Sequence, residues 1–279
     1  MGRPRRMPAK QSIISAASLC IVAVLPGCSA VSSSTDPPVP TTAPSTVHSA
    51  VHSAVPSAGA ALAFTVAGVR PVLPSGSQDT HAQTPAASCD SATFAADKAL
   101  GDRVVHGFAL AGFPAAADLL AHFLAGKGTP VNYRAGSPVS KKALASGAFR
   151  AVNNEVAEAI LSQLEAGRAR VRLSAAQLPT VAFESRSSDL YWGFRGTQGL
   201  TVTGSGHREN GRYTGTLSYV IRDSYGFPAS DTLDGFGPPM RYLQTACGAP
   251  RHAGGARWFP DTITVTVPFS RPAPAGSRP

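Results

Sequence analysis

The stretch "LTVTGSGHRENGRYTGTLSYVIR", residues 200–222, decides the fold. Two β-rich runs, 200–208 and 212–222, flank Asn210-Gly211. Both of those residues tolerate the positive φ that a two-residue type I′ turn requires, so the stretch predicts an antiparallel hairpin. Downstream, 239–246 reads as a turn or short helix, and "TITVTVPF" from Thr262 closes the chain as a strand. Upstream, 168–173 alternates, 180–184 is β-rich, and Leu190, Trp192 and Phe194 share one face of a further strand.

Helical patterns come earlier. Pro114 suits the first turn of a helix running to about residue 125, with Leu119, Leu120, Phe123 and Leu124 on its apolar side and Gly126 as the stop. Phe149, Val152, Val156, Ile160 and Leu164 recur at steps of three and four, which predicts a second helix over 148–166. Ser140 is positioned to cap a shorter helix ahead of Gly147. Helices followed by antiparallel strands imply one α+β domain, with the N-terminal helices packed on the sheet. That domain spans 86–271, and 272–279 reads as a disordered tail.

The front of the chain carries a different message. Arg3, Arg5, Arg6 and Lys10 precede a nearly unbroken apolar run over 13–25, the order of a secretory signal. The run is shorter than the roughly 20 residues a transmembrane helix needs. Leu25-Pro26-Gly27-Cys28 resembles the lipobox of bacterial lipoproteins, with Pro26 a departure from the usual small residue. The resemblance implies cleavage after residue 27 and lipid on Cys28, hence a protein on the extracytoplasmic face of a membrane; ordinary cleavage nearby would leave a secreted protein instead. Residues 28–85 then read as a disordered Ser/Ala/Pro/Thr linker, including the repeat containing His48 and His52. Within it, 61–73 has the pattern of a strand able to join the fold.

Cysteine positions sort by this reading. Cys20 leaves with the signal and Cys28 takes the lipid, so Cys89 and Cys247 remain as a disulfide pair in an oxidising compartment. In the chain-entropy model such a long-range bridge contributes roughly 5 kcal/mol.

No GxSxG, HExxH, P-loop or GxGxxG motif is present. The richest polar cluster is "RDSYGFPASDTLDGF", 222–236, which gathers Asp223, Tyr225, Asp231 and Asp234 after a strand, with Arg241 just beyond. Carboxylates at a strand end suit acid/base or metal-assisted chemistry, although the same residues also build ordinary turns. The sequence implies no cofactor and no dedicated metal set. Arg168, Arg170 and Arg172 alternate and form a candidate anion-binding strip or a solvated strand face. Asp118 and His122 stand four apart on the first helix, as a base with its orienting carboxylate or as a surface pair. Glu155 and Glu158 read as solvated charges, and Trp192 and Phe194 as core.

The domain holds 19 Lys and Arg against 14 Asp and Glu, a mild excess that fits an anionic envelope surface and does not imply nucleic acid. "HFLAGKG", 122–128, together with "RDSYGF", 222–227, resembles a module of secreted actinobacterial and polymorphic-toxin-associated proteins. That resemblance implies an exported protein. The expected function is a membrane-anchored binding or envelope-associated module, whose partners are the membrane, anionic envelope polymers or another envelope protein. The alternative is a carboxylate-based hydrolase or toxin-like effector acting on an envelope substrate. Replacing Cys28 with Ala is expected to release the protein from the membrane fraction into the medium; unchanged retention on fractionation would exclude the lipid.

Overall fold

Asn210 and Gly211 take φ values of 48° and 71° in the computed structural model, the left-handed pair that a type I′ turn needs. The turn joins β4 (Gly199–Glu209) to β5 (Arg212–Tyr225), and the hairpin forms as the sequence predicts. Residues 62–72, 88–195, 197–228, 235–249 and 251–273 are described.

The hairpin is the centre of a six-stranded sheet of order β2-β6-β5-β4-β1-β3. The remaining strands are β1 (Ala63–Arg70), β2 (Val131–Tyr133), β3 (Arg170–Leu173) and β6 (Phe259–Pro272). Strands β1, β4, β5 and β6 are antiparallel, whereas the short edge strands β2 and β3 run parallel to β6 and β1. The architecture is α+β as expected, and the sheet is mixed at its two edges. β1 lies inside the segment assigned to the linker; its alternating apolar residues seat Phe64 and Val66 in the core.

Six helices accompany the sheet among the described residues: α1 (Ser91–Leu110), α2 (Pro114–Leu124), α3 (Pro138–Ala145), α4 (Gly147–Glu165), α5 (Asp189–Phe194) and α6 (Gly237–Thr245). Helices α2, α4 and α6 match the sequence expectation. Ser137 rather than Ser140 caps α3, and Ser140 instead donates its hydroxyl to the Thr264 carbonyl at 2.7 Å. Helix α1 is a gain over the sequence reading. It has no continuous apolar stripe, and it packs closely through Gly101, where a Cβ would meet Leu124 at 2.9 Å. Cys89 and Cys247 form the expected disulfide, tying the start of α1 to the end of α6.

Two expected strands are absent. Residues 179–185 are irregular, although Val181 and Phe183 alternate inward and the Val181 carbonyl accepts from Thr197 at 2.5 Å. Residues 190–194 are the helix α5, started by the Ser188 hydroxyl accepting from the Leu190 amide. The helix wins because of Asp189. Its buried carboxylate accepts from the amides of Ala115 and Ala116 at 3.2 and 2.9 Å and pairs with Lys142 Nζ at 2.7 Å. Helix α2 has no side-chain cap of its own, so Asp189 supplies the missing acceptor from a distant element.

Burial alternates along the long strands. The odd residues of β5 and β6 and the even residues of β1 face the helices, and β4 buries Leu200 and Val202 in the same way. The other face of the sheet stays exposed at Thr203, Ser205, Thr216 and Thr266.

Asp189→Ala removes a buried acceptor for two amides and a charge partner, and is expected to cost about 3 kcal/mol. Lys142→Ala should cost less, because the Lys142 side chain is 43% exposed. Thermal melts of the two variants test this order, and equal losses would remove the helix-capping role.

Candidate functional site

The antiparallel register of β5 and β6 places Asp223 directly opposite Asp261. Their neighbours on the same face are Ile221 with Ile263 and Tyr225 with Phe259, all of them core residues. Two carboxylates therefore stand side by side on the helix-covered face; directly opposed Cβ atoms in such a ladder are about 5 Å apart. Asp223 is 9% exposed and Asp261 only 1%. The first strand pair of β2 and β6 sets Val131 beside Asp261 on its other flank.

Partners for these charges are few. One Asp223 oxygen accepts from the Ser224 amide at 2.8 Å. Both Asp261 oxygens are buried without a hydrogen-bond partner. An ionised carboxylate in that setting is costly, so the pair responds by holding protons. Burial pushes the Asp223 carboxyl up to about 7, partly offset by the Ser224 amide. Burial, followed by the charge of Asp223, pushes Asp261 well above the ordinary carboxylate range. The two interact as one unit, in which burial and mutual repulsion both favour the protonated form.

Tyr133 borders the site from the edge strand β2. Burial first, then the charges of Asp118, Asp261 and Asp189, raise its phenol above its usual range. Asp118 is exposed on α2, so the charges acting on Tyr133 come from a solvated carboxylate as well as from buried Asp261 and Asp189. On the opposite side an aromatic cluster closes the strand end. Tyr225 stacks on Phe259 at 5.4 Å, and Phe123 packs edge-on to Tyr225 and Phe227.

The residues singled out from the sequence divide accordingly. Asp223 is in the site, and Tyr225 is beside it as a buried packing residue. Asp231 and Asp234 lie outside the described residues, as does Cys28. Arg241 is on α6, where its carbonyl accepts from the Thr245 hydroxyl. Asp118 and His122 do not pair. His122 Nε2 turns to the Thr129 carbonyl at 2.9 Å, and its ring packs on Phe259. Glu155 is exposed, and exposed Glu158 reaches Arg271 at 3.8 Å. Phe194 is core, while Trp192 is partly buried and donates to the Arg186 carbonyl. Arg170 and Arg172 are exposed on β3, and Arg168 precedes that strand. No group of three or more His, Cys, Asp or Glu side chains among the described residues is arranged to hold a metal ion.

Asp261 is the candidate-site residue that the sequence reading missed. A strand begun at Thr262 leaves it outside, yet it shares the parity of Ile263, Val265, Val267 and Phe269. An acidic residue at a core position of a strand was the available signal.

No protein-family model, curated protein or solved structure matches this chain.

A raised carboxyl binds its proton more tightly in the folded than in the unfolded state, so stability is full below the unfolded value near 4 and falls as pH rises. For Asp223 the loss runs from about pH 4 to about 7. Melting temperature should therefore drop by several degrees between pH 5 and pH 8, and Asp261→Asn should flatten the profile by removing one of the two charges. Identical profiles for the wild type and this variant would contradict the coupling.

Proposed function

We propose that this chain is an exported protein, held at the extracytoplasmic face of a membrane by lipid on Cys28, whose domain hydrolyses an envelope substrate with the Asp223–Asp261 pair. The observation that carries the catalytic reading is Asp261, a carboxylate 1% exposed whose oxygens have no partner and which faces a second carboxylate. A carboxylate kept for stability alone would be expected to have donors around it. Two carboxyls pressed together and shielded from water are suited instead to share a proton near neutral pH.

The roles divide by environment. Asp223, steadied by the Ser224 amide, is the member more readily ionised and takes a proton from the attacking water. Asp261 holds its proton and delivers it to the leaving group as the scissile bond breaks. Proton transfer from Asp223 back to Asp261 restores the pair. Tyr225 and Phe259 close the strand end beside the pair, and Tyr133 flanks it from the β2 edge. The hydrolase reading retains Asp223 from the sequence candidates and takes Asp261 as its partner.

Anchoring rests on the lipobox resemblance of residues 25–28. No helix among the described residues is long and apolar enough to cross a membrane.

Incubating the purified mature protein with isolated envelope material, with soluble fragments followed by mass spectrometry, tests the catalytic reading. Asp223→Asn and Asp261→Asn should each slow release by about 100-fold or more while retaining the wild-type fold by circular dichroism. The wild-type rate should climb through about pH 7 as Asp223 ionises. Release at an unchanged rate by both variants would discard the pair as the catalytic centre.

A further inference from the structure

The face of the sheet that the helices leave open is organised in rows. Strand register aligns Arg172, Ala67, Thr203, Ser218 and Thr266 across five strands, and beside them Arg170, Thr65, Ser205, Thr216 and Pro268. Each row begins with an exposed arginine on the edge strand β3 and continues through small side chains, most of them hydroxylated. At the usual strand spacing such a row is about 19 Å long, and the two rows are about 7 Å apart. A third row, Val69, Thr201, Val220 and Thr264, extends the surface; there the Arg222 guanidinium donates to the Thr201 hydroxyl.

Charge on this face is predominantly positive. Arg170, Arg172, Arg212 and Arg222 occupy outward positions, and Arg170 and Arg172 have no ion-pair partner among the described residues. Among the described strand residues the one outward acidic side chain is Glu209, at the hairpin tip, where it pairs with His207 at 3.2 Å. A second copy of the chain is a poor occupant, because sheet-on-sheet packing needs interdigitating apolar side chains and would bring the arginines of two copies together. Aromatic platforms of the kind that stack nucleic-acid bases are absent from the three rows.

We propose that this open face binds an acidic polysaccharide. Serine and threonine hydroxyls both donate and accept, which matches the mixed hydrogen bonding of sugar hydroxyls along an extended chain. The guanidinium forks of Arg170 and Arg172 receive the carboxylates of that chain, in bidentate geometry that lysine would not reproduce. The face lies on the opposite side of the sheet from Asp223 and Asp261, so binding here is independent of the acid/base chemistry proposed above.

Affinity electrophoresis of the mature protein through gels containing alginate, a carboxylated polysaccharide, or neutral pullulan tests the proposal at near-physiological salt. The wild type and the Asp261→Asn variant should both be retarded by alginate and not by pullulan. The double variant Arg170→Gln/Arg172→Gln should lose about tenfold or more in alginate affinity. Thr203→Val/Thr216→Val, which keeps the β-branched shape and removes the hydroxyls, should weaken binding severalfold at an unchanged melting temperature. Absence of retardation by alginate would overturn the proposal. So would undiminished retardation of the arginine variant. Equal retardation by alginate and polyphosphate, insensitive to the threonine changes, would reduce the face to a simple cation patch and overturn it as well.

Discussion

The antiparallel pairing of β5 with β6 runs from Arg212 opposite Pro272 to Tyr225 opposite Phe259, and its register governs both faces of the sheet. A slip of one residue would turn Tyr219, Ile221, Ile263 and Val265 out to water and bring Ser218, Val220, Thr264 and Thr266 into the core. The apolar residues that hold the register also decide where the polar ones go. Tyr213, Leu217, Tyr219 and Ile221 fix the inward set of β5, and Asp223 follows by the period of two. Ile263 to Phe269 does the same for β6 and carries Asp261 inward.

Hydrophobic packing therefore imposes an electrostatic cost on the carboxylate pair. Burying the apolar residues around Asp223 and Asp261 stabilises the sheet by roughly 25 cal/mol per Å² of apolar surface, and that gain is enough to drag two carboxyls out of water with it. The pair lowers its own cost by holding on to protons. Asp189 shows the contrasting solution in the same core: two amides and Lys142 surround it, and its charge stitches α2, α3 and α5 together. One buried aspartate is satisfied and structural, whereas Asp261 is unsatisfied, and this difference in surroundings is what marks the Asp223–Asp261 pair as the candidate site.

Much of the scaffold is legible in local sequence. Asn210-Gly211 names its turn because few residue pairs accept two left-handed conformations. Helices α2 and α4 announce themselves by apolar spacing. The failures have physical causes. Leu190, Trp192 and Phe194 alternate like a strand, but Ser188 starts a helix, and Asp189, on its first turn, reaches across to α2. Helix α1 packs Phe94, Leu100, Val104, Val105 and Phe108 on the core, but Asp97, Lys98 and the close-packed Gly101 interrupt that side, so its periodicity is weak in the sequence. Of the candidate site, Asp223 was visible as part of a polar cluster, while Asp261 was hidden at the head of an apolar strand.

The sequence by itself carries the basic-then-apolar pattern ahead of Cys28 from which export is proposed, the two cysteines that the fold joins, Cys89 and Cys247, and the hairpin at the centre of the sheet. Each of these depends on residues acting through local chemistry or on a count of cysteines. Only the tertiary structure decides that Asp261 meets Asp223 and that hydroxyls from four strands line up behind two arginines of a fifth. Those relations join residues dozens of positions apart, and strand register, set by the fit of the whole core, is the physical quantity that brings them together.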